Sequence, residues 1–172
     1  MNLRILYLSF LVLLGCPPRD PLLHSERTVH FSSSESMDTF KIIAFGSDTL
    51  HASVSFLILS NSGDTLWHET FAAVELVGYG LMNTADHRVT EAEQNSYIAS
   101  RIERFFDDSH LLRPAISPTD EFSGKSSQRD VWNDIRSDTI AVGFHYLIGE
   151  ENNRCIAYSK KSSRVVVYKS FD

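Results

Sequence analysis

The alternation Ile140, Val142, Phe144, Tyr146, Ile148 constrains the fold of this 172-residue chain more than any other stretch. Successive side chains of a strand point to opposite faces, so apolar residues at period two predict a strand with one continuous apolar face. At about 1.5–3 kcal/mol per buried side chain, the strip contributes on the order of 10 kcal/mol before the opposing conformational entropy. Gly149 to Asn153 then turns, 154–159 returns, Lys160-Lys161-Ser162-Ser163 turns again, and 164–170 closes a three-stranded antiparallel meander.

A second meander is expected earlier in the chain. TFKIIAF at 39–45 reads as a strand, and Gly46-Ser47-Asp48 turns it. From Ala52, Val54, Phe56 and Ile58 share one face, and the later Leu57 and Leu59 predict that both faces become covered. Asn61-Ser62-Gly63-Asp64 is a hairpin signal, because Asn and Gly accept the positive φ of tight turns. Residues 65–72 return as the partner strand, and 73–77 extend it past a bend. The helix signal is clearest at Thr90-Glu91-Ala92-Glu93, a capping box in which Thr90 and Glu93 satisfy each other's amides. Ile98, Ile102, Phe105 and Phe106 follow on one stripe, with Arg101 and Arg104 placed late to suit the helix dipole. Residues 107–130 hold Pro114, Pro118 and Gly124 and read as a long loop, with a short helix over 130–136. The expectation is an α+β domain: antiparallel β-sheet built from two meanders, packed against one main amphipathic helix at about 91–106.

The amino-terminal region has a different character. Arg4 and the amino terminus supply positive charge, Ile5 to Leu14 is uncharged, and Gly15-Cys16-Pro17-Pro18 follows at once. A basic start, an apolar stretch and a small residue form the layout of a secretory signal peptide. The apolar run is half the roughly 20 residues that a membrane span needs. Leu13-Leu14-Gly15-Cys16 resembles the lipobox of bacterial lipoprotein precursors. That resemblance covers only the first tenth of the chain. It implies removal of residues 1–15, acylation of Cys16 with fatty acid such as palmitate, and a domain tethered to a membrane of the cell envelope, outside the cytoplasm. Residues 16–38 then read as the lipidated cysteine and a flexible tether, with three prolines and five serines and a coil span of roughly 25 Å. Thr28 to Phe31 is an alternative short edge strand. Residues 39–172 form the single domain.

Loss of residues 1–15 removes Arg4 and no acid, so 16 basic and 22 acidic residues become 15 and 22, a net −7. That balance opposes nucleic-acid binding, which requires a basic face against phosphate. Cysteine use is sparse. With Cys16 acylated, Cys155 stands alone, which excludes an intramolecular disulfide and a cysteine-rich metal site. Its strand-like setting reads as a buried small hydrophobe.

No residue set dictates a mechanism. G-x-S-x-G, the phosphate-cradling P-loop and H-E-x-x-H are absent, since His68-Glu69 is followed by Thr70-Phe71-Ala72. Asp107-Asp108-Ser109-His110 carries metal-type ligands but reads better as a solvated helix end. No catalytic residue, metal ligand or cofactor is assigned. Candidate binding residues are Trp67 and Trp132 as interface anchors, and His145, which shares a strand face with Ala141, Gly143 and Leu147 where small neighbours would leave a groove. Lys160, Lys161 and Arg164 belong to a C-terminal segment, 154–172, with net charge +4. It either faces an anionic partner or protects an exposed edge. The leading expectation is a non-catalytic, membrane-anchored envelope lipoprotein that binds a protein or envelope component. A carrier of an apolar ligand such as lipid, held between helix and sheet, is the first alternative; a hydrolase using residues 107–110 is the second.

Overall fold

A computed structural model describes residues 20–78, 81, 88–122, 128–149 and 152–171. The leader, Cys16 and the first residues of the expected tether lie outside them. The described chain forms two antiparallel sheets of four strands each and two α-helices, an α+β fold in which sheet predominates. In the first sheet β1 (Leu23–Val29), β2 (Asp38–Phe45), β3 (Ser53–Leu59) and β4 (Thr65–Ala72) lie side by side in chain order. Helix α1 (Glu91–Glu103) follows. The second sheet contains β5 (Leu111–Leu112), β6 (Gly143–Ile148), β7 (Asn152–Ser159) and β8 (Arg164–Phe171), also in chain order, with helix α2 (Arg129–Ser137) between β5 and β6.

The period-two pattern accounts for the core. Phe40, Ile42 and Ala44 of β2 and Val54, Phe56 and Ile58 of β3 are fully buried on one face of the first sheet. Phe144, Tyr146 and Ile148 of β6 meet them from the second sheet, with ring centroids 5.3 Å apart for Phe40–Phe144 and 5.2 Å for Phe56–Tyr146. Helix α1 closes this layer with Ile98 and Ile102, and the turn after it adds Phe105 and Phe106. The Phe56–Phe105 centroids are 5.3 Å apart, an edge-to-face distance that favours aromatic pairs. As its capping box predicts, α1 starts with the Thr90 hydroxyl accepting from the Glu93 amide. It ends at Glu103, however, and Phe105 and Phe106 reach the core from a turn.

A smaller cluster fills the other face of the second sheet. Trp132 and Ile135 of α2 pack there with Ala115, Ile116, Cys155, Ala157, Val166 and Tyr168. The groove expected beside Ala141 and Gly143 is therefore occupied. A Cβ on Gly143 would lie 2.6 Å from Tyr168 Oη and 3.1 Å from the Ala115 Cα, so the missing side chain admits its neighbours. The Tyr168 hydroxyl donates to the Ala115 carbonyl at 2.6 Å, tying that loop down.

Four expectations are corrected. The supposed tether contains β1, which pairs with β2 from Leu23↔Ala44 to Val29↔Asp38 and turns Leu23, Ser25, Arg27 and Val29 inward. The five-residue strip shortens to Phe144, Tyr146 and Ile148. Asp138 accepts the Ala141 amide in a turn, so β6 begins at Gly143 and Ile140 is left 65% exposed. Residues 73–76 form a 3₁₀ turn instead of extending β4, with the Glu75 carboxylate accepting from the Ala72 amide at 3.1 Å. Leu57 and Leu59 remain half-buried on the outer face of the first sheet, so that face is not covered as expected.

Candidate functional site

Arg101 lies in the last turn of helix α1, and Arg104 follows three residues on as its C-cap. Burial of Phe105 and Phe106 draws the chain off the helix axis. A 3₁₀ turn at Asp108–His110 then returns it to the surface before β5. Arg27 of β1 holds this turn with both arms of its guanidinium. One donates to the Phe106 carbonyl at 2.6 Å, the other to the Asp108 carboxylate at 2.5 Å. Arg101, Arg104, Asp107, Ser109 and His110 consequently line one recess of about 230 Å³.

The internal bonds of the recess determine what remains available. Arg101 donates to the Leu147 carbonyl at 3.1 Å and the Leu76 carbonyl at 3.5 Å, which fixes its direction. Arg104 donates to the Ser100 hydroxyl at 2.6 Å and to the Ser100 carbonyl at 3.4 Å. A guanidinium has five N–H donors, so each arginine keeps donors to spare. Among the described residues, no carboxylate forms an ion pair with either. His110 Nδ1 lies 2.7 Å from the Phe105 carbonyl, which only accepts. Nδ1 therefore carries the proton, and Nε2 becomes a donor only when the ring is protonated. Asp108 is already matched by Arg27, leaving Asp107 as the recess carboxylate. The recess is thus +1 with His110 neutral and +2 with it protonated, on a chain whose overall charge is −6.

His145 lies beside this recess. Its ring centroid is 6.4 Å from that of His110, and its Nε2 bonds to the Asn153 side chain. The structure thus joins two sequence candidates, the 107–110 segment and His145. Arg101 and Arg104 were legible only as dipole partners, and their part in the recess needed the turn that follows them. Among the described residues, no group of three His, Cys, Asp or Glu side chains is placed to hold a metal ion.

The other candidates lie elsewhere. Trp132 is 5% exposed beneath α2, with its ring against Phe122 and under the Arg136 guanidinium, so it is core and not an exposed anchor. Trp67 faces the interior from β4, half-buried, with no hydrogen-bond partner for its Nε1. Lys160 pairs with Asp138 at 2.7 Å, beside a second recess of about 260 Å³ between the 30–34 turn and residues 138–142. Lys161 and Arg164 are exposed. Arg154 is drawn inward to Glu69, so the C-terminal cations do not form one basic patch. Sequence reasoning missed the Glu69–Tyr146–Arg154 cluster, which joins residues 77 and 85 positions apart.

These features define an α+β domain with a filled interior and a basic recess at its surface. Comparison with protein-family models, curated proteins and solved structures finds no match to the chain.

Proposed function

We propose that the chain is a lipid-anchored protein of the bacterial cell envelope whose domain is a non-catalytic binding module, and that the recess at the end of α1 receives an anionic group of its partner or of an envelope component. The anchoring half of this reading rests on the leader and on Leu13-Leu14-Gly15-Cys16. The binding half rests on one observation: two arginines that form no ion pair with a carboxylate among the described residues line one recess. Cations held by carbonyls and left unneutralised attract an anion more strongly than paired surface charges do.

The rings of Phe56, Phe105, Phe106, Phe144 and Tyr146 occupy the space between helix stripe and sheet, with centroid separations of 5.2–6.0 Å. An apolar cargo would have to displace that packing, so binding at the surface is favoured over a carrier. A photo-crosslinking side chain at Ser109 tests the reading in intact cells. It is expected to yield an adduct with an envelope component that a control at exposed Val74 does not. Identical products from the two positions would contradict it.

A further inference from the structure

We infer that the recess at the end of α1 is a site for a tetrahedral oxyanion, a phosphoryl or sulfate group, held by Arg101 and Arg104 with His110 as a proton-dependent third donor. The inference deepens the reading of this recess as the binding surface and does not depend on lipid at Cys16.

A helix C-terminus alone explains cations in its last turn, because they offset the negative end of the dipole. It does not explain why the next element brings a histidine to the same recess. Asp108, the neighbouring carboxylate of the same turn, is paired with Arg27 and does not line the recess. The lining residues come from two elements: Arg101 and the C-cap Arg104 at the end of α1, and Ser109 and His110 in the turn that follows. A planar carboxylate is matched by one guanidinium fork, whereas a tetrahedral oxyanion accepts bonds from several sides. A volume near 230 Å³ exceeds that of one such group, so the recess admits it together with water or with the moiety that carries it.

His110 gives the site a pH sense. Its Nδ1 is committed to the Phe105 carbonyl, so only the protonated ring can offer Nε2–H to an anion. The charged and titratable groups around it are Arg101 and Arg104 on α1, Asp107 in the turn, Asp108 with Arg27 of β1, and His145 with Asn153 across β6 and β7. An anion bound beside it stabilises the imidazolium. Protonation of His110 therefore adds both a donor and a positive charge, and the anion binds more tightly to the protonated ring. Asp107 opposes the anion throughout.

Sulfate is the cleanest probe, because it stays doubly charged while histidine titrates. Titrated into the full chain in neutral detergent and followed by the arginine and histidine side-chain NMR signals, it is expected to bind saturably. Arg104→Gln should weaken it roughly 5- to 10-fold, and Asp107→Asn should tighten it roughly 3-fold, both muted by salt. Affinity should fall as pH is raised in the parent, and His110→Gln should remove that dependence. Arg104 and Asp107 are exposed, so both variants should fold, and the opposite signs exclude a general loss of structure. Inorganic phosphate and glycerol 3-phosphate distinguish the sources: tighter binding of the ester points to a lipid headgroup, tighter binding of the free ion to soluble phosphate. Absence of saturable binding, or parent-like affinity in both charge variants, overturns the site and leaves the anchoring reading intact.

Discussion

Glu69 reaches from β4 to the second sheet, where its carboxylate accepts from the Tyr146 hydroxyl at 2.7 Å and pairs with the Arg154 guanidinium. The side chains of Glu69 and Arg154 are 18% and 30% exposed, so solvent screens the pair only partly. Burial, reinforced by Glu69, pushes the Tyr146 phenol far above its usual range and keeps it a donor. Glu69→Ala would leave both partners unsatisfied and should cost about 2–4 kcal/mol, read as a lower urea midpoint at unchanged slope. A midpoint within error of the parent would show that the two sheets do not depend on this bond. Cys155 makes a second residue-scale prediction. It is 4% exposed, and burial raises its thiol pKa, so the thiolate is disfavoured as well as shielded. In a Cys16→Ser chain, reaction with an aromatic disulfide reagent should be undetectable in the native protein and should appear in parallel with urea unfolding.

At the scale of elements, legibility followed the range of the interactions that define each one. The start of α1 was readable because Thr90 and Glu93 cap it locally. The hairpin at 61–64 was readable because Gly63 supplies the positive φ, 89°, that the turn requires. Strand β1 was not, because its inward face carries Ser25 and Arg27 between Leu23 and Val29 and so shows no apolar period. Pairing with β2, and the reach of Arg27 to the turn after α1, make it a strand. Ile140 and Val142 fit the period, yet Asp138 sets a local turn that period alone does not reveal. If β1 belongs to the sheet, a chain beginning at residue 39 should lose its cooperative thermal transition, since it also loses the buried Val29 and Phe31. A chain beginning at residue 20 should keep it. A cooperative transition in the shorter chain would restore the tether.

For the whole molecule, the sequence disclosed the two meanders and the main helix, but not the contacts that form the recess. Arg27 meets Asp108 across 81 positions to hold the turn that lines the recess, and His110 comes to lie 6.4 Å from His145 of β6 beside it. Neither spacing leaves a local pattern. The basic tail, by contrast, was legible as charge but misleading as a surface, because Glu69 draws Arg154 inward. The proposed lipid anchoring is tested most directly by metabolic labelling with palmitate, followed by fractionation. The parent chain should take up label and travel with membranes, and Cys16→Ser should do neither. An unlabelled parent chain, or one found with cytosolic markers, would contradict the account.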